Sequence, residues 1–192
     1  MDSDVSAGRT TTSSVLGRLA LGITLLAFGL GHTAVIDGVT AADAVSLARY
    51  VGGVALFLAG LLALRDGDTV TGTAFSVVGA LWFTWAVSAG AQVSENAAAT
   101  FLLLFALVAL TLALAVREQL DQGTYGLFAI ALVLLAVGVL ADSGGLAKVG
   151  GWVAVAAGAV AWYAGAAALA QWPTAFARGS GRAGRSGVTA TG

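Results

Sequence analysis

Apolar residues fall in long runs along this chain, and short charged or glycine-bearing stretches break them at regular intervals. Six runs stand out, near 15–36, 46–64, 69–91, 97–116, 123–141 and 148–171. Each approaches or exceeds the roughly 20 mostly apolar residues that a helix needs to cross a hydrocarbon core. Strands of a membrane barrel would be about ten residues long and would alternate polar with apolar positions. These runs are longer and apolar all round, which predicts an all-α integral membrane protein of six transmembrane helices. The boundaries are Asp37 and Asp43; Arg65, Asp66, Gly67 and Asp68; Glu95 and Asn96; Arg117, Glu118, Asp121 and Gln122; and Asp142 to Gly145. The second run is the shortest and reaches full length only with Ser46 to Tyr50. Arg49 lies in that extension and is expected to snorkel to an interface.

Composition supports the same class. Of 192 residues, 58% are hydrophobic and only 10% charged, against about 25% charged in soluble domains. Mean hydropathy is +0.92. Too few charges remain to solvate the outside of a globule, so the chain's principal partner is the lipid bilayer. A net charge of −1 gives no global field for nucleic acid. The loops are too short for a soluble domain. The expected organisation is a disordered segment over 1–14, one six-helix domain over 15–173, and a disordered basic tail over 174–192.

Seven of the nine basic residues (Arg9, Arg18, Arg65, Arg117, Arg178, Arg182 and Arg185) fall on one side of such a topology. Only Arg49 and Lys148 fall on the other. The positive-inside rule then predicts that both termini are cytoplasmic, in the plasma membrane of a prokaryote. Residues 1–14 lack the basic start of a signal peptide.

Small residues recur every seven positions in three helices. They are Gly53, Gly60 and Gly67 in the second; Gly72, Gly79 and Ala86 in the third; Gly151, Gly158 and Gly165 in the sixth, with Ala154 and Ala161 between. In lipid, helices associate through close packing of small residues, and a period of seven keeps one seam on a partner. These glycines read as packing seams, with the second, third and sixth helices as the packed centre. The third and sixth helices also share an order, a glycine seam and then aromatics: Trp82, Phe83 and Trp85 in one, Trp162 and Tyr163 in the other. That order suggests a weak 3+3 inverted repeat, an arrangement in which transporters often place their path at the repeat interface.

Candidate chemistry is sparse. The chain has no cysteine, so disulfides and thiolate metal sites are excluded, and its single histidine, His32, builds neither a metal cage nor a catalytic dyad. No acidic or basic residue lies deep in a run, where such residues usually mark proton relays or ion paths. Neither an enzyme nor a cofactor or metal site is expected. Mild hydroxyls remain, and they concentrate in the third helix: Thr69, Thr73, Ser76, Thr84 and Ser88, mostly three, four or eight apart. A helix lining a narrow, weakly polar path would use such a face, so the third helix is the expected working face.

Residues 50–83 carry a more specific pattern: Gly52-Gly53, Ala59-Gly60, Gly67-Asp68-Thr69, Thr73-Ala74-Phe75, Gly79 and Trp82-Phe83. This resembles the second and third helices of the acetate uptake transporter family, which includes bacterial acetate–succinate permeases. The sixth helix, Gly150-Gly151-Trp152 through Ala161-Trp162-Tyr163, is similar too. The resemblance implies a channel or transporter for acetate or a similar short monocarboxylate, assembled as a homo-oligomer, commonly a hexamer. It also implies a hydrophobic constriction, where the family's Tyr falls on Val78 and the other positions fall near Leu21 and Phe128. Hydroxyls of the first, third and sixth helices, from Thr24, Thr73, Ser76 and Tyr163, would pass the solute across it. The chain departs from the family pattern ahead of the first helix, where only Leu16-Gly17 of a proline-containing run remains, and at Leu56, Ala63 and Asp68. Two other functions stay open: an amide or urea channel, and a non-transporting membrane protein of signalling or stress adaptation.

Overall fold

The structure, a computed structural model, describes residues 11–89 and 93–172. Six helices long and apolar enough to cross a membrane account for nearly all of these: α1 Thr12–Thr33, α2 Ala44–Arg65, α3 Thr69–Ser88, α4 Glu95–Ala115, α5 Gln119–Leu140 and α6 Gly144–Leu169. The polar residues between the runs start the helices. Thr11, Asp68, Ser94 and Ser143 each accept a hydrogen bond from the backbone N–H three residues on, capping α1, α3, α4 and α6. Gly67, with φ of +86°, turns the chain between α2 and α3 in a conformation that side chains disfavour. The first helix begins at Thr12, three residues before the expected run, and Ser13 and Ser14 are buried in it. The rest of the expected N-terminal segment and the tail over 174–192 lie outside the described residues.

Six crossings put Thr12 and Leu169 at one end of the bundle, here called the terminal end; the other is the far end. The most heavily buried helix is α1. It packs along α6, α6 along α5, and α5 along α4, while α2 packs along α3 and against α1. This corrects the expected centre of α2, α3 and α6. The glycine stripe of α6 faces α1 instead: a Cβ on Gly158 would lie 2.6 Å from the Leu26 backbone nitrogen, and one on Gly29 would lie 2.6 Å from that of Val155. The stripes of α2 and α3 face each other, and a Cβ on Gly79 would lie 2.6 Å from the Phe57 nitrogen. Gly53 meets Phe83, Gly60 meets Ser76, Gly72 meets Leu64, and Gly151 meets His32. Glycine lets the backbones come this near, and dispersion across the seam replaces the hydrophobic drive that lipid does not supply.

Residues Ala48–Ala55 of α2 form a π-helical stretch. Its Gly52 and Gly53 press against Thr24 and Phe83, so the wide turn lies where α2 meets both α1 and α3. Such segments are uncommon and concentrate at functional sites. The likeness of α3 to α6 does not extend to their aromatics. Trp82 is 1% exposed at the centre, whereas Trp162 is 47% exposed on the outside.

Candidate solute path

Three layers follow one another along the middle of the bundle. At the terminal end sits Arg18, one turn before Leu21 on α1 and only 5% exposed. Its Nε and Nη2 donate to the two carboxylate oxygens of Asp121, at 3.1 and 2.7 Å, and Nη2 also donates to Glu118. This two-pronged pair ties α1 to the first turn of α5. A cavity of about 300 Å³ opens beside it, lined by Arg18, Glu118, Ala164 and Gln171 among others. The run pattern placed Arg18 among peripheral charges, but the fold buries it.

The middle layer is an apolar plug. Leu21, Leu25, Leu56, Val78 and Leu132 are at most 2% exposed and surround an aromatic cluster. Trp82 of α3 stacks on Phe128 of α5 with ring centroids 5.7 Å apart, and meets Phe105 of α4 at 5.6 Å and Phe28 of α1 at 5.0 Å, both edge-on. Phe105 meets Phe128 at 5.1 Å. These are favoured aromatic geometries. The backbones of α3 and α4 barely approach one another, and these large side chains fill the gap that small residues would leave open. The buried hydroxyls here are satisfied by their own helices: Thr24 donates to the Ala20 carbonyl at 2.8 Å and Thr124 to that of Leu120 at 2.9 Å. The centre of the bundle is closed in this arrangement.

Toward the far end come His32 and Arg49. The His32 ring lies 4.5 Å from that of Phe28, and its Nδ1 donates to the Phe28 carbonyl at 2.8 Å. A carbonyl can only accept, so Nδ1 carries the proton. Arg49, from the π-helical stretch, is half-buried near the far end of the bundle, and its Nη2 donates to the Ala86 carbonyl in the last turn of α3 at 3.1 Å. Its Nε is buried and has no partner among the described residues. The indole nitrogen of Trp82 and the hydroxyl of Ser76 share that condition.

The expected path residues therefore divide. Leu21, Val78 and Phe128 come together in the plug. Thr24 sits against Gly52 at the α1–α2 contact, and Ser76 against Gly60 in the α2–α3 seam. Thr73 is exposed on the outside of the bundle, and so is Tyr163 at 41%. Thr69 and Thr84 are exposed too. The hydroxylated face of α3 thus points outward, and the face turned to the centre is the apolar one, Phe75, Val78, Trp82 and Ala86. The reason is packing: Trp82 and Phe75 have more surface to remove from lipid and more contacts to gain than hydroxyls, and a helical hydroxyl is satisfied by its own backbone, as Thr84 is by Ala80. Phe28, Phe105 and Arg49 are the site residues that spacing did not reveal. Trp82 was visible only as half of an aromatic pair.

A sequence profile of the GPR1/FUN34/yaaH family matches residues 3–178. The chain belongs to that family. Among curated protein sequences none matches. Among solved structures, the fold is similar to that of the bacterial acetate channel SatP, with a TM-score of 0.73 at 22% identity over 84% of this chain and 93% of that one. At that identity the likeness carries the arrangement of six helices, and the plug and the two arginines are properties of this chain's own side chains.

Proposed function

We propose that this family member is a membrane channel or transporter for a small monocarboxylate, with acetate the first candidate. The observation that carries the reading is the axial order: a closed apolar plug, with a carboxylate-paired arginine at the terminal end and, at the far end, an arginine that no carboxylate among the described residues pairs. In a six-helix bundle whose family and fold neighbour include an acetate channel, that order suits a solute with one anionic end and one small apolar end. The Arg49 guanidinium at the far mouth, without the carboxylates that neutralise Arg18, favours an anion over the neutral solute of an amide or urea channel. The plug sets a size limit, and passage requires its aromatic side chains to swing aside.

The positive-inside bias places the termini on the cytoplasmic side of a prokaryotic plasma membrane. Assembly is proposed as a homo-oligomeric ring, hexameric by resemblance. An exposed groove of about 320 Å³ between α2 and α3, lined by Val54, Phe57, Phe83 and Thr84 among others, is apolar enough for either lipid or a neighbouring subunit. Uptake of labelled acetate into proteoliposomes tests the function. Wild type should exceed empty liposomes, and Val78→Trp, which overfills a fully buried site, should lower uptake at least about tenfold. Uptake no greater than in empty liposomes would sink the proposal.

A further inference from the structure

Three buried polar atoms lack partners among the described residues, and two of them, Arg49 Nε and Trp82 Nε1, belong to side chains that meet at the contact of α2 with α3. Arg49 bonds the carbonyl of Ala86, four residues beyond Trp82, a rise of about 6 Å. The two are also linked through α2, because Gly52, three residues after Arg49, abuts both Thr24 and the Trp82 ring. We infer that Arg49 and Trp82 form a two-position carboxylate site on the far side of the path, guanidinium at the mouth and indole N–H within the plug. The inference rests on the transport reading and names the groups that would take the solute.

Unpaired buried polar atoms are uncommon in native structures and call for a reason. Guanidinium and indole are donors only, so whatever satisfies them must accept, and an anion satisfies both. No carboxylate among the described residues does so. The salt bridges among the described residues all belong to Arg18. Asp43, before α2, is engaged by the Thr40 amide and hydroxyl. Arg49 therefore lacks, among the described residues, the carboxylate partners that neutralise Arg18. Ser76 is a different case, since its hydroxyl abuts Gly60 in the α2–α3 seam and does not face the aromatic cluster.

A monocarboxylate fits such a pair. Its two oxygens can bond the guanidinium at the mouth, and one can then pass to the indole N–H as its methyl group slides among Phe28, Phe105 and Phe128, the rings that surround Trp82. A dicarboxylate would carry its second charge into the same apolar layer, where an unpaired charge is strongly disfavoured. The site thus selects by charge number as well as by size.

The test reads the indole directly. Protein carrying 15N-labelled tryptophan, in nanodiscs, is titrated with sodium acetate, and the Trp82 N–H resonance is identified by its loss in Trp82→Phe. It should move downfield and saturate. In Arg49→Gln the titration midpoint, and the half-saturation of uptake, should both rise about tenfold, with Arg49→Lys in between. A stationary Trp82 resonance at acetate concentrations that saturate wild-type uptake overturns the site and leaves the transport reading standing. Movement without uptake supports the site and overturns the transport reading. An equal response to chloride overturns the carboxylate assignment in favour of a general anion site.

Discussion

The two ends of the bundle each bury part of an arginine, and they treat it in opposite ways. At the terminal end Arg18 is paired with Asp121 and Glu118, so its charge is neutralised within the fold and its Nε and Nη2 hold α1 to α5. At the far end, among the described residues, Arg49 has one carbonyl partner and a buried Nε with none. The first arrangement suits a clasp, since a paired buried charge costs little until one partner is removed. The second suits a receptor, because an unsatisfied donor is a standing reason to take up an acceptor. Placing the same residue type on both sides of one plug makes the structure asymmetric in function as well as in charge.

The largest expected effect comes from opening the clasp. Asp121→Ala leaves Arg18 with only the exposed carboxylate of Glu118 and should destabilise the protein by about 3 kcal/mol, read from thermal unfolding in detergent. Neutralising the other end by Arg49→Gln should change stability by less than about 1 kcal/mol, because no internal ion pair is lost. Equal losses would erase the distinction between clasp and receptor.

The α1–α6 seam carries both ends and gives the next effect. Gly158→Leu drives a side chain into the Leu26 backbone and should cost about 2 kcal/mol. Gly123→Leu, where nothing lies within 4 Å of a Cβ, should be near neutral. If both variants melt alike, close packing does not hold the seam. A smaller effect is expected on the outward face of α3: Thr73→Val should leave stability within about 0.5 kcal/mol of wild type and acetate uptake within about twofold. A large loss of uptake there would return the hydroxyl face to the path.

The smallest effect is a pH response confined to the loop before α2. Hydrogen bonds from the Thr40 hydroxyl and amide hold the Asp43 carboxyl below its ordinary value of 3.8. A lowered folded value means that the loop's stabilisation is complete above that ordinary value and is lost as pH falls through the depressed one. Amide exchange at Thr40, corrected for its intrinsic pH dependence, should quicken only in strong acid, and Asp43→Asn should remove the pH response.

The aromatics of α3 and α6 show where sequence reading stops. Trp82 and Trp162 follow similar glycine seams, and nothing in their local pattern separates them, yet one is the centre of the plug and the other faces outward. Hydropathy cannot choose between faces of a helix that is apolar all round, because lipid and protein interior are alike to it. Arg18 was misplaced for a related reason. Its position near a helix end marked it as peripheral, and only the arrival of α5, about 100 residues later, supplies Asp121 and makes burial tolerable.

By itself the sequence determined the membrane class, six crossings and the small-residue seams, because each follows from local hydropathy, polar punctuation or residue size. The resemblance carried by residues 50–83 pointed to the family and to Leu21, Val78 and Phe128, which the fold buries in one apolar cluster. Only the tertiary structure decided which seams meet, that α1 rather than α2 or α3 is the most buried helix, and that the third helix turns its apolar face to the centre. It alone set one arginine against carboxylates and left the other with a donor to offer. Those choices depend on which helices become neighbours, and in a chain this uniformly apolar the neighbours are chosen by the fit of side chains between helices.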